Sequence, residues 1–141
     1  MGAPFNVLSY GENHYKANCN ERCGCPKSEK SIHAEHHAIQ KLPSHKNVRH
    51  LKKLDLLVIR VNRSGSLGNS KPCLHCLFML SQILPEKGYC ISKVYYSSEG
   101  GEIRVANLHT LLQEDCPHIT KFYQSHPNKV IMKMSQKRNF L

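Results

Sequence analysis

The chain has no tryptophan in 141 residues, and aromatic residues of all kinds make up only 7% of it. With hydrophobic residues at 40%, that composition suits a small soluble domain rather than a membrane protein. No apolar run approaches the roughly 20 residues a spanning helix requires. The segment Met1 to Asn6 lacks a basic stretch followed by an apolar one, so no secretory signal is expected. Gly2 does not complete a myristoylation signal, because Asn6 stands where that pattern takes Ser or Thr. The expected location is therefore intracellular, cytoplasmic or nuclear, with no membrane partner. Internal repeats and low-complexity segments are also missing. The length suits one domain with a single sheet-and-helix core. We assign residues 1–127 to that domain and 128–141 to a basic tail.

Acidic residues are scarce as well: 10 Asp and Glu face 20 Lys and Arg, a formal net charge of +10. Such an excess fits either a solvated basic surface or a polyanionic partner, above all nucleic acid. No arginine-rich or aromatic-interleaved stretch decides between them. Two segments concentrate the charge. Lys41 to Lys53 reads as a surface loop whose Lys46, Arg49, Lys52 and Lys53 are candidate phosphate contacts. The tail beyond Asn128, with Lys129, Lys133, Lys137 and Arg138, is the second.

Cysteine, by contrast, is present seven times. The number is odd and the spacing resembles that of metal ligands more than a disulfide framework. Cys73 and Cys76, two residues apart, can reach one ion, and a distant histidine can complete three protein ligands. His33 is the candidate, with Glu35 two residues beyond it. Three ligands leave a fourth position for water, as in catalytic zinc sites. Glu35 is then placed to move protons for that water. A further set, Cys19, Cys23, Cys25 and His14, offers four ligands for a second zinc, but its spacing fits no knuckle, and loop thiols are the simpler reading.

Hydrophobic patterning supplies a frame. Phe5 to Tyr10 reads as a short strand stopped by Gly11. Gly11-Glu12-Asn13 is then either a loop carrying a substrate ligand or the tip of a hairpin returning through His14 to Cys19. Ser31 is an expected N-cap for a helix to about Leu42, where Pro43 ends it. Leu54 to Val61 is apolar almost without alternation, which predicts a central strand buried on both faces. Asn62 to Ser70 is a turn, and Pro72 fits the first position of an apolar helix ending before Pro85. Tyr89 to Tyr96 is the next strand. The short Gly-bearing link Ser97 to Gly101 predicts an antiparallel hairpin with the stretch from Ile103, which takes the sheet edge. Leu108 to Tyr123 reads as a last helix folding back on the sheet, interrupted by Pro117. The order predicts a layered α/β domain with a mixed sheet.

His33 and Cys73 each open a helix in this reading. Free N–H groups at a helix start favour the thiolate form that binds zinc. His33-Ala34-Glu35 and Pro72-Cys73-Leu74-His75-Cys76, with a buried strand between, resemble the cytidine deaminase superfamily. That superfamily includes free-nucleoside deaminases, deoxycytidylate deaminases, tRNA adenosine deaminases and nucleic-acid-editing cytosine deaminases. The histidine–glutamate and Pro-Cys-x-x-Cys pair is a known signature of zinc nucleobase deaminases. The resemblance spans Phe5 to Leu112 in element order.

It implies a three-layer α/β/α domain in which His33, Cys73 and Cys76 hold Zn2+ and Glu35 shuttles protons. The reaction implied is hydrolytic deamination of a cytosine-type base in a nucleoside, a nucleotide or single-stranded nucleic acid. The Ala34 N–H would face the substrate carbonyl and Asn13 would bind the sugar. The expected hairpin of the last two strands is similar to the free cytidine deaminase branch, whereas the +10 charge points toward a polynucleotide. An alternative is a non-catalytic zinc module for nucleic acid or protein built on the same frame.

The chain departs from the family in three places. Little sequence precedes Asn13, so the usual first hairpin is either compressed into Phe5 to Cys19 or short of a strand, leaving an edge for a partner to cover. Lys71 stands before Pro72 where small or hydroxylated residues are common. The interval from His33 to Cys73 is lengthened by the basic loop. An open edge and the family habit of associating through helices are compatible with a homo-oligomer.

Overall fold

The computed structural model describes residues 6–15, 31–45 and 49–114. The fold is α/β with a mixed sheet, as the patterning predicts. Met1–Pro43 and Ser44–Leu141 form two compact units.

In the first unit, strand β1 (His14–Tyr15) pairs antiparallel with β2 (Ser31–Ile32), in the register His14 to Ile32 and Tyr15 to Ser31. Helix α1 (Ala34–Lys41) follows at once. Ser31 therefore belongs to a strand and does not cap the helix. The cap is His33, extended at φ −71° and ψ 152°. Leu42 closes α1 with its N–H on the Ala38 and Ile39 carbonyls, just before Pro43. The expected strand at Phe5 to Tyr10 is not formed over its described part, Asn6 to Tyr10. That segment lies along α1 instead. Ser9 Oγ donates to the Ala38 carbonyl at 2.8 Å, and Lys41 Nζ stands 3.7 Å from the Tyr10 ring centroid. Gly11 permits the approach: a Cβ there would fall 2.2 Å from the Ala34 carbonyl oxygen and 2.4 Å from the Ala38 nitrogen.

The second unit is built on a three-stranded sheet in the order β3 (Lys52–Val58), β6 (Tyr89–Ser97), β7 (Ile103–Asn107). β3 and β6 are parallel, and β6 and β7 form the expected antiparallel hairpin. Gly101 turns that hairpin at φ 81°, a conformation glycine adopts without strain. Between β3 and β6, the little hairpin of β4 (Arg60–Val61) and β5 (Leu67–Gly68) leads into α2 (Leu74–Gln82). A 3-10 turn over Leu84–Lys87 follows, closed by Gly88 at φ 90°. Helix α3 (Leu108–Leu112) continues directly from β7.

One face of the sheet carries the core. Leu77 of α2, Val94 of β6 and Leu111 of α3 are fully buried, and Leu56, Ile91, Tyr96, Ala106, Leu108 and Leu112 pack round them. Burying such apolar side chains contributes about 1.5–3 kcal/mol apiece. The strand expected to be central and buried on both faces is instead an edge of the described sheet. β3 alternates, with Leu56 half-buried and Leu57 60% exposed. The residues that register with Leu57, Tyr95 and Val105, continue an apolar row across the opposite face. Pro72 precedes the α2 cap, Cys73, rather than standing inside the helix.

The last helix, expected to run from Leu108 to Tyr123, ends at Leu112 with Gln113 as its C-cap. The rest of that expectation beyond Glu114 lies outside the described residues, as do Phe5, the loop with Cys19, Cys23 and Cys25 and the second metal weighed for it, Lys46, and the 128–141 tail. Among the described residues, no helix is long and apolar enough to cross a membrane.

Candidate metal centre

The histidine half of the site sits where β2 turns into α1. Because His33 keeps an extended backbone, its side chain projects from the helix start, and its carbonyl accepts the His37 N–H at 3.0 Å. His33 is half-buried and Glu35, in the first turn, is 8% exposed. A carboxylate in the first turn also suits the partial positive charge of the helix N-terminus. Asn13 Oδ1 accepts the Ala34 N–H at 2.7 Å, so the two residues expected to contact substrate are bonded to each other. Beside them the Glu12 N–H donates to His37 Nδ1 at 3.2 Å. Residues 9–13 thus form a loop laid along α1, and the strand that follows, β1, pairs with β2 and not with residues 6–10.

The cysteine half has a different setting. Cys73, extended at φ −71° and ψ 164°, caps α2, and its sulfur accepts the Cys76 N–H at 3.5 Å. Both thiols are buried, at 4% and 1% exposure, as is Pro72 before them. The two sulfurs lie within 4.8 Å of each other, as the two-residue spacing predicts. Lys71 reaches Glu114 in an ion pair, and its N–H donates to Asn69 Oδ1 at 3.0 Å.

A ring nitrogen of His33 and the sulfurs of Cys73 and Cys76 lie within 4.8 Å of one another, close enough to hold a metal ion. Tetrahedral zinc with bonds of about 2.0–2.3 Å holds such donors roughly 3.5–3.8 Å apart, a separation inside that limit. Two thiolates and one imidazole are a donor set that zinc accepts. His36 and His75, half-buried, are not part of the group.

The basic residues are more dispersed than the expected loop. Arg49 is exposed in a turn, while Lys52 and Lys53 already belong to β3, pairing with Tyr89 and Cys90. Neighbouring residues of a strand point to opposite faces, so Lys52 and Lys53 do not form one patch.

The sequence reading missed the Gly11 approach to α1 and the bond between Asn13 and Ala34. Glycine beside two polar residues was the available signal, but it reads equally as a turn. In comparisons with known proteins, the chain matches no family model, no curated protein and no solved structure.

Proposed function

We propose that this protein is a zinc-dependent hydrolytic deaminase of the cytidine deaminase superfamily, acting on a cytosine-type base. One observation carries the proposal. The His33, Cys73 and Cys76 donor atoms lie within 4.8 Å of one another, and Glu35 is buried two residues beyond the histidine.

His33 would bind through a neutral imidazole and the two cysteines as thiolates. When bound, zinc supplies Lewis acidity and a hydroxide nucleophile near neutral pH. Glu35 would take one proton from the water and pass it to the ring nitrogen, then take the second from the hydroxyl newly joined to the ring carbon and pass it to the departing amine. The ring carbon gains the oxygen of water and loses ammonia, so the base becomes its uracil-type counterpart. Proton transfer of this kind contributes a factor of about 100 to 10,000. Substrate binding through the Ala34 N–H requires exchange of its bond to Asn13, which would free the Asn13 amide for a sugar hydroxyl.

By the resemblance to the free cytidine deaminase branch, the antiparallel β6–β7 hairpin supports a free nucleoside or nucleotide, while the net charge of +10 supports a polynucleotide. Ammonia release should be measured with cytidine, deoxycytidylate and a single-stranded oligonucleotide across a salt series. Activity on the monomers, abolished in Glu35→Gln with zinc retained, is the expected result. Binding to the oligonucleotide that falls steeply with salt would shift the substrate to nucleic acid. Full activity of Glu35→Gln would refute the mechanism.

A second reading, a non-catalytic zinc module, draws on the Asn13–Ala34 bond, which occupies the N–H a substrate would use. Zinc-dependent folding without ammonia release from any of the three substrates would select it.

A further inference from the structure

The segment that delivers Cys73 is tied to the sheet by two buried serines far apart in sequence. Ser70 is three residues before Cys73, and Ser97 is the last residue of β6 and has 0% exposure. The Ser70 N–H donates to the Ser97 carbonyl at 2.9 Å. In return the Ser97 N–H donates to Ser70 Oγ at 2.7 Å, and that hydroxyl donates to the Val58 carbonyl at 2.7 Å. Ser97 Oγ in turn donates to the Gly68 carbonyl at 2.7 Å and accepts the Arg60 N–H at 3.1 Å. The two hydroxyl oxygens are 2.9 Å apart.

Four stretches of chain therefore meet at one pair of hydroxyls: the end of β3, the start of β4, β5 with its exit, and the end of β6. Each hydroxyl can serve as both donor and acceptor, and here each does so toward backbone. Larger polar side chains would not fit a place this buried. Alanine would leave N–H and C=O groups without partners at a cost of about 1–3 kcal/mol for each buried group. The segment after Ser70 has little freedom, because Lys71 is held by Asn69 and Pro72 is buried with a fixed φ.

We infer that the Ser70–Ser97 hydroxyl pair is a positioning device for the metal thiolates, fixing where Cys73 and Cys76 stand relative to the sheet. The inference rests on the reading of His33, Cys73 and Cys76 as metal ligands. Ser70 and Ser97 touch neither metal nor substrate in this account. They act through the backbone that leads to Cys73, and their loss lets the two sulfurs settle away from the geometry the ion needs.

The test is metal affinity in the full chain, measured with Zn2+ and Co2+ against a chromophoric chelator. The variants are Ser70→Ala, Ser97→Ala, Cys73→Ser and Leu111→Ala. Leu111→Ala weakens the same core from α3 without touching the serine pair. Each serine variant should lose at least about tenfold in affinity, the lower end of what outer-shell partners contribute. The cobalt thiolate charge-transfer band should also shift in both. Leu111→Ala should unfold at a lower temperature yet bind metal within about twofold of wild type. Should Ser97→Ala fail to fold, Ser70→Ala, whose site is nearer to solvent, carries the test. Serine variants that bind like wild type, or that lose no more affinity than Leu111→Ala, would overturn the inference alone. A wild type that takes up no metal, or a Cys73→Ser variant that retains it, would overturn the ligand assignment and the inference with it.

Discussion

The two halves of the candidate site are held in place by different kinds of interaction. Cys73 and Cys76 open a helix whose Leu77 and Leu80 are buried, and Leu77 joins the core of β6 and α3. His33 and Glu35 open a helix of similar length whose buried residues are Glu35 and Ile39, one of them a carboxylate. Around α1 the buried side chains of Ile32, Ile39 and Leu42 are joined by a two-residue strand pair and by polar contacts from residues 9–13. Hydrophobic burial thus holds α2 against the sheet while the Ser70–Ser97 pair fixes the segment that leads to Cys73, whereas the start of α1 leans more on polar contacts that individually contribute about 0.5–1.5 kcal/mol. An ion bound by all three would contribute its ordering mainly to the histidine half, because metal-binding free energy appears as folding free energy where the site is least formed.

The largest effect should come from the core that carries the cysteines. Leu77→Ala removes a fully buried side chain and should lower unfolding free energy by about 2–5 kcal/mol in denaturant titration. Ile39→Ala, the corresponding truncation on α1, should leave exchange protection of β6 amides unchanged while α1 amides exchange faster. Equal losses throughout both helices would break the contrast.

Gly11→Ala comes next. Its Cβ would meet the α1 backbone itself, which cannot swing aside as a flexible side chain can. We expect about 1–3 kcal/mol of local destabilisation, read as faster amide exchange across α1 with α2 unaffected. Chelation should act in the same direction. Removing metal should raise exchange in the first turn of α1 more than in the first turn of α2, and the reverse order would contradict the comparison.

How much of this was legible from the residues alone differs between the halves in the same way. The β6–β7 hairpin and the apolar α2 were readable because continuous apolar stretches and a short Gly-bearing link are local signals. The metal-type spacing of Cys73 and Cys76 was equally local, and the cluster with His33 agrees with it. The segment Asn6 to Tyr10 was misread because Val7, Leu8 and Tyr10 suggest a strand, yet no strand neighbour pairs with them among the described residues. Tertiary contacts with α1 decide its path, and Val7 is left 76% exposed. Leu54 to Val61 was misread for a related reason. An apolar run shows that a strand forms, but burial of its second face depends on what packs there. The His33 cap could not be told from a Ser31 cap, since β2 claims Ser31 through pairing with Tyr15. The serine pair was invisible because its partners come from distant stretches of sequence.

Smaller effects sharpen the histidine side further. Asn13→Ala removes the 2.7 Å bond to Ala34 and should cost about 0.5–1.5 kcal/mol, seen as fraying of the α1 start. In the deaminase reading it should also raise KM more than it lowers kcat. Tyr10→Ala removes the ring beneath Lys41 at an exposed position and should cost only about 0.5–1 kcal/mol in thermal unfolding.

In the proposed reading His33, Cys73 and Cys76 are the ligands of one zinc ion, with Glu35 beside it as a proton carrier and not a ligand. Metal content per chain of the purified protein and its single variants tests this most directly. One zinc per chain is expected in wild type and in Glu35→Gln, and close to none in His33→Ala, Cys73→Ser and Cys76→Ser. Zinc absent from the wild type, or retained at full stoichiometry when any of the three ligands is removed, would contradict it.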